Sequence, residues 1–160
     1  MPKSSAWIVI VTEELAVLTY LDSSLLVSIH GLDGNSMLAS TAFTSISQMP
    51  VITTLCQLEV INALNLRAFR KQITARAVVE AIRGFEEDLL SGVYEVRTIP
   101  EGSFVRALEL SQKTTQRLGT RSSDILHVAA ALELGAKAFY SFDLQQRKLA
   151  ESLGLTLNPI

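Results

Sequence analysis

The sequence has few of the features that mark a secreted or membrane-bound chain. Its one cysteine is Cys56, so an internal disulfide and a thiol-based metal knuckle are both excluded, which fits a reducing compartment. The early apolar run at residues 7–11 is far shorter than a membrane span and precedes no small-residue cleavage pattern. We therefore expect a cytoplasmic protein that makes no contact with a membrane.

Neither sign of charge predominates, since the chain has 14 Lys and Arg residues and 16 Asp and Glu residues. The chain is no polycation of the kind that coats nucleic acid, which argues mildly against a simple DNA-binding module. A nuclease is compatible with this balance, because divalent cations can mask its own carboxylates. Glycine and proline are scattered and no unit recurs, which disfavours disorder, fibrous structure and repeat arrays.

The hydrophobic content, 48% of 160 residues, suffices for one packed core. From residue 17 onward, short β-type runs alternate with longer helical ones, which predicts an α/β fold with a mainly parallel sheet. We assign residues 17–160 to this domain and residues 1–16 to an N-terminal extension, for which an extra edge strand, a disordered arm and a consequence of the chosen start codon are the alternatives. The predicted strands cover residues 17–21, 51–54, 94–99, 138–141 and 155–157. The predicted helices cover residues 24–30, 36–47, 55–68, 73–90, 102–118, 123–134 and 144–153.

Four acidic residues stand out by their positions in this pattern. Asp22 closes the first predicted strand, and Asp143 follows the fourth by two residues. Because ligands of open α/β sheets bind beyond the carboxyl ends of the strands, we expect both acids at one crevice. Glu59 has apolar neighbours on both sides, where a surface carboxylate would have polar company. Asp124 opens a very apolar helix, and its alternative interpretation is an N-terminal acid that the helix dipole stabilises.

Carboxylates that converge in one cleft repel one another unless cations neutralise them. Mg²⁺ and Mn²⁺ prefer such oxygen ligands, and a bound ion of this kind can ionise a water for attack on phosphorus. The sequence contains no histidine cluster, no cysteine arranged for activation and no serine hydrolase motif. The acids therefore indicate metal-dependent hydrolysis of phosphodiesters.

Several blocks of the sequence resemble the PIN domain family. Their order and spacing are similar to those of bacterial and archaeal VapC-type toxins, the ribonuclease halves of toxin–antitoxin pairs. The resemblance covers residues 17–160 and implies a PIN-like three-layer α/β/α sandwich with a mainly parallel central sheet. The blocks are YLDSSLLV at 20–27, LEVINAL at 58–64, SDILHVAAALELGA at 123–136, FYSFD at 139–143 and LAESLGL at 149–155.

By position, the resemblance implies a catalytic quartet that also binds the metal. Its members would be Asp22, Glu59, Asp124 and Asp143. Ser24 would brace the first carboxylate, and Ser141 would orient a water bound to the metal. The resemblance further implies Mg²⁺ or Mn²⁺ as cofactor, RNA as substrate, and products ending in 5′-phosphate and 3′-hydroxyl. It also implies a cognate VapB-type antitoxin and a homodimer.

RNA binding also requires positive charge on the surface. At 100° per residue, Arg106, Lys113 and Arg117 fall within about 40° of one another on the predicted helix at 102–118. Apolar side chains such as Phe104 would point roughly the opposite way. These three basic residues and Arg121 are the candidate contacts to the RNA backbone, and an ordinary solvated surface is the alternative.

Two other functions stay open at this stage. A non-catalytic binding or scaffold protein would keep the fold without hydrolysis, although the intact acids disfavour it. A metal-dependent nuclease of DNA or flap structures, outside a toxin–antitoxin pair, is disfavoured because no inserted arch or added DNA-binding motif is present. We therefore predict a metal-dependent endoribonuclease that acts as a toxin.

Overall fold

A computed structural model describes residues 17–160, so the predicted extension at residues 1–16 lies outside the described part. Its centre is a five-stranded sheet in the order β3-β2-β1-β4-β5, and every pairing is parallel. The strands are β1 (Thr19–Leu21), β2 (Val51–Thr53), β3 (Glu95–Arg97), β4 (Ala138–Tyr140) and β5 (Thr156–Leu157). The predicted α/β fold with a parallel sheet is confirmed.

Seven helices connect these strands within residues 17–160. They are α1 (Ser23–His30), α2 (Ser36–Thr44), α3 (Thr54–Phe69), α4 (Ala75–Leu90), α5 (Gly102–Leu118), α6 (Ser122–Glu133) and α7 (Leu144–Ser152). Side-chain oxygens of Asp22, Thr74 and Asp143 accept backbone N–H bonds at the starts of α1, α4 and α7. These short polar residues therefore fix where the helices begin, because the first N–H groups of a helix have no partner inside it.

The strands are shorter than the sequence predicted. The predicted strand at 138–141 ends at Tyr140, because the Ser141 N–H donates to the Asn158 side chain at 2.8 Å and not to a neighbouring strand. Thr54 belongs to α3 and not to β2, since Thr53 already has the extended backbone of a residue that precedes a helix. At the end of β4, a polar side chain thus forms the hydrogen bond that a neighbouring strand would form if β4 were longer.

The path of the chain reverses at the centre of the sheet. It runs outward from β1 through β2 to β3, then returns and adds β4 on the other side of β1. Because parallel crossovers are right-handed, this reversal puts the later helices on the opposite face of the sheet. Helices α1–α4 pack among themselves and α5–α7 pack among themselves, as the predicted three-layer sandwich requires. The switch point between β1 and β4 is where such folds bind ligands.

The core is centred on the two strands that flank this switch point. Tyr20 of β1 and Phe139 of β4 are paired in register, and their rings stack with centroids 5.5 Å apart. Both side chains are fully buried, and Leu25, Leu64 and Phe85 extend the core on the side of the first helices. This packing holds the carboxyl ends of β1 and β4 side by side. No helix among residues 17–160 is long and apolar enough to cross a membrane.

Candidate active site

Asp22 lies at the carboxyl end of β1 and is completely buried. Its Oδ1 accepts from the Ser24 hydroxyl at 2.7 Å and from the Leu25 N–H at 3.2 Å. Its Oδ2 accepts from the Ser141 hydroxyl at 2.9 Å. Burial raises the pKa of Asp22, and the charge of His127 together with these hydrogen bonds offsets part of the rise. The carboxylate is therefore held in one orientation by three donors.

Asp143 follows β4 and occupies the position just before α7. Its Oδ1 accepts the N–H groups of Gln145 and Gln146, each at 2.9 Å. Its own N–H donates to Ser141 Oγ at 2.9 Å, and that same hydroxyl donates to Asp22. Ser141 therefore links the loop after β4 to the acid at the end of β1. Ser24 makes a second link, since its Oγ accepts the N–H of the residue before Asp143 at 2.9 Å.

Asp124 lies in the first turn of α6, and only 2% of its side chain is exposed. Its Oδ2 accepts the backbone N–H of Arg121 at 2.9 Å and the Nε–H of the same residue at 3.1 Å. Its Oδ1 accepts from Arg121 Nη2 at 3.3 Å and from Gln146 Nε2 at 3.2 Å. Asp124 thus caps the helix, as the alternative interpretation proposed, and it also faces the same pocket as the other acids.

Glu59 lies within α3, and its Oε2 accepts from the Ser23 hydroxyl at 2.6 Å and from His127 Nε2 at 2.7 Å. The other ring nitrogen of His127 contacts the Tyr20 hydroxyl at 2.9 Å. Burial opposes protonation of His127, but hydrogen bonds to Cys56 and Glu59 outweigh it and raise the pKa of His127 to about 10. Burial would raise the pKa of Glu59, but His127, Ser23 and the charge of Arg121 lower it. Glu59 and His127 are thus hydrogen-bonded, and each shifts the pKa of the other toward its charged form.

The four predicted acids line one pocket with a volume of about 260 Å³. They come from the end of β1, from α3, from α6 and from the loop after β4, so their sequence positions span more than a hundred residues. The structure therefore brings together the whole predicted quartet at the switch point of the sheet. Ser24 lines the same pocket, while Ser141 is fully buried behind it.

The candidate RNA contacts do not lie together. Arg121 lines the acidic pocket, where its Nη2 is 3.5 Å from Asp143 Oδ2. Arg106 is ion-paired with Glu133, and Lys113 and Arg117 are exposed on α5 away from the pocket lining.

The larger apolar side chains of α5 are not its most buried ones. The buried residues of this helix are Ser103, Leu110 and Thr114, whereas Phe104 and Leu108 are more than half exposed. They line a second, apolar cavity of about 520 Å³ between α5 and the start of α6. Two of the three buried residues carry small hydroxyl side chains, and α5 packs against α6.

The sequence model of the PIN domain family matches residues 19–152. The chain belongs to the PIN domain family. No curated protein matches it in sequence.

Two solved structures are similar to this PIN domain in fold. One is VapC20 of Mycobacterium tuberculosis, described as a sarcin-ricin loop cleaving toxin, with a TM-score of 0.66 and 18% identity. The similarity covers 88% of this chain and 99% of that one. The other is PAE2754 of Pyrobaculum aerophilum, with a TM-score of 0.57 and 16% identity, covering 96% of this chain and 92% of that one. The predicted family is therefore confirmed, and PIN domains as a family are nucleases that generally use divalent metal ions.

The donor set of this PIN domain fits such an ion. Its pocket is lined by carboxylate oxygens, which are the ligands that Mg²⁺ and Mn²⁺ prefer. The buried Oε1 of Gln146, in the same lining, has no hydrogen-bond partner and can accept from a water bound to the ion. Among residues 17–160, no three His, Cys, Asp or Glu side chains are spaced to share one ion. Arg121 contacts both Asp124 and Asp143, so its guanidinium lies between these two carboxylates.

Two residues of the site were not predicted from the sequence. Ser23 holds Glu59, and Gln146 holds Asp124. Ser23 directly follows Asp22, so its place in the sequence could have indicated that it belongs to the site. Gln146 lies one helical turn after Asp143, but its contact with Asp124 depends on how α6 and α7 pack.

Proposed function

We propose that this chain is a Mg²⁺- or Mn²⁺-dependent endoribonuclease and the toxin of a toxin–antitoxin pair. The observation that carries the proposal is the convergence of Asp22, Glu59, Asp124 and Asp143 in one pocket at the topological switch point. Because Mg²⁺ commonly binds one or two carboxylates directly and keeps several waters, these four acids would hold the metal partly by direct contact and partly through its bound waters. When bound, the ion would lower the pKa of a water for attack on the phosphodiester and stabilise the leaving oxygen.

The side chains around the acids prepare them for this role. Ser24 and Ser141 each donate to one oxygen of Asp22 and so fix where its remaining lone pairs point, and the Ser141 hydroxyl also accepts the backbone N–H of Asp143. His127 keeps the Glu59 carboxylate ionised and in place. Such outer hydrogen bonds orient ligands and commonly contribute about 10- to 100-fold to metal affinity or activity. The expected products carry 5′-phosphate and 3′-hydroxyl ends.

RNA as substrate and a VapB-type antitoxin as partner are supported by the family and by the resemblance to VapC-type toxins. Exposed apolar side chains on α3 and α5 support the binding of protein partners, including a second copy of the chain. They include Leu58 and Phe69 on α3 and Phe104 and Leu108 on α5, each more than half exposed. Leu55 at the start of α3 lines the same cavity as Phe104 and Leu108, which supports an apolar surface there that a partner would cover.

The test is RNA cleavage by the purified chain, with and without Mg²⁺ or Mn²⁺. The variants Asp22→Asn and Glu59→Gln should lose metal-stimulated cleavage by at least about 100-fold, since each removes a charge from the metal site. The matched control is Glu80→Gln, which removes an exposed acid that pairs with Arg76 on α4. It should cleave like the wild type.

Folding is checked by thermal unfolding of each variant. Mapping of 5′ ends of cellular RNA after brief induction would then identify the target. A folded wild-type protein without metal-stimulated hydrolysis would contradict the proposal and favour the scaffold alternative. Retention of full cleavage by Asp22→Asn would contradict the assignment of the site.

A further inference from the structure

We propose that Arg121 is an internal counter-ion of the acidic pocket, which a divalent cation must displace from Asp124 before that carboxylate can bind metal. The inference rests on the proposed metal site and adds a competitor for it from within the chain. It also assigns Arg121 a second position, at the mouth of the pocket, where the released guanidinium would meet RNA phosphate.

The first step is a count of acceptor positions on Asp124. A carboxylate offers about four lone-pair positions, two on each oxygen. On Asp124 all four are taken, by the backbone N–H, Nε and Nη2 of Arg121 and by Nε2 of Gln146. A cation can therefore bind Asp124 directly only after one of these donors has left.

The second step identifies the donor that can leave. The backbone N–H of Arg121 is fixed where α6 begins, because the chain direction there is set by the helix. Gln146 is only 4% exposed and is packed between α6 and α7. The Arg121 side chain is 75% exposed, so its guanidinium can move into solvent without disturbing the core. Of the Arg121 backbone N–H, the Arg121 guanidinium and the Gln146 amide, only the guanidinium is therefore free to move away from Asp124.

The third step concerns the rest of the pocket. Arg121 Nη2 is 3.5 Å from Asp143 Oδ2, so the guanidinium spans two members of the quartet. Its charge also lowers the pKa of Glu59. Arg121 thus neutralises part of the acid cluster that would otherwise repel itself. A divalent cation placed among these acids would repel the guanidinium, so the two cations compete for the same carboxylates.

The fourth step follows the side chain after release. Arg121 precedes the first turn of α6 and lines the pocket that holds the acids. A guanidinium presents two parallel donors that match phosphate as well as carboxylate. Metal binding would therefore free, at the rim of the site, the group best suited to hold the RNA backbone. The exchange links metal loading to substrate binding.

The test measures Mn²⁺ affinity by isothermal titration calorimetry in the absence of RNA. Arg121→Gln should bind Mn²⁺ roughly five-fold more tightly than the wild type, because the competing ion pair is worth on the order of 1 kcal/mol at this exposed position. Arg121→Lys keeps the charge and should lie closer to the wild type. Arg76→Gln, which removes an arginine paired with Glu80 outside the site, should leave Mn²⁺ affinity unchanged.

RNA affinity should change in the opposite direction to Mn²⁺ affinity. With Mg²⁺ saturating and Asp22→Asn present to prevent cleavage, Arg121→Gln should weaken RNA binding and reduce its salt dependence, as loss of one phosphate contact requires. Arg76→Gln should do neither. Tighter Mn²⁺ binding together with weaker RNA binding is the combination that a purely structural role of Arg121 would not produce.

A second measurement needs no variant at Arg121. In the wild type, Mg²⁺ titration followed by NMR should shift the Arg121 Nε–H resonance and speed its exchange with water, because the bond to Asp124 is lost. An unchanged resonance at saturating Mg²⁺, or an Arg121→Gln variant that binds Mn²⁺ no more tightly, would overturn the inference. If the wild type binds Mn²⁺ and cleaves RNA, only the counter-ion role fails. If it binds no Mn²⁺, the counter-ion role and the proposed function fail together.

Discussion

Replacing Ser141 by alanine tests the link between the two central strands. The hydroxyl is fully buried, donates to Asp22 Oδ2 at 2.9 Å and accepts the Asp143 N–H at 2.9 Å. Without this hydroxyl, Asp22 Oδ2 and the Asp143 N–H would each lose their hydrogen-bond partner. A hydrogen bond to a charged group contributes about 1.5–3 kcal/mol, and an unpaired buried group costs about 1–3 kcal/mol. We therefore expect Ser141→Ala to lower the free energy of unfolding by roughly 2–4 kcal/mol.

The assay is urea unfolding, with the free energy taken from the midpoint and slope. The matched control is Ser152→Ala, since the Ser152 hydroxyl makes one hydrogen bond, to the Leu149 carbonyl at 2.7 Å, near the surface. This control should cost less than about 1 kcal/mol. A double-mutant cycle with Asp22→Asn should show coupling above about 0.5 kcal/mol, because the two residues share a bond. A loss for Ser141→Ala no larger than that of the control would refute the argument that this hydroxyl holds the site together.

Two further predictions concern the surroundings of α1. Burial lowers the pKa of His30, and the charge of Asp88 offsets this only in part. The unfolded chain therefore binds the proton more tightly, so stability should fall as pH drops from about 6.5 toward the folded-state pKa. His30→Gln, which can still bond Tyr94, should lose this slope in urea unfolding between pH 7 and pH 5.5; an identical slope would exclude His30 as its source. Gly31→Ala should destabilise the chain by about 1–3 kcal/mol, because its Cβ would lie 2.6 Å from a backbone oxygen, whereas Gly34→Ala meets no atom within 4 Å and should be nearly neutral.

The convergence of the acids could be predicted because it depends on topology and not on detailed packing. Asp22 and Asp143 follow hydrophobic strands in the sequence, and parallel strands that lie side by side bring such residues to one edge. Glu59 was recognised because its neighbours in α3 are apolar. The resemblance to PIN domains completed the set with Asp124. Each of these inferences needs only periodicity or motif order, both of which a single sequence contains.

The position of Arg121 could not be predicted in this way. A helical wheel at 100° per residue applies only inside a helix, and Arg121 precedes the first turn of α6 with an extended backbone. Its side chain is therefore placed by Asp124 and Asp143 and not by helical periodicity. Contacts between elements distant in sequence decide this position.

The position of β4 in the sheet also bears on how the protein is made. β4 is the neighbour of β1 in the sheet, yet it is synthesised more than a hundred residues after β1. Asp143 emerges later still, and Arg121 and Asp124 also belong to the last third of the chain. A prematurely terminated product would therefore carry Asp22 and Glu59 without the other half of the pocket. For a nuclease domain, this order of synthesis delays assembly of the acidic pocket until translation of the domain is nearly finished.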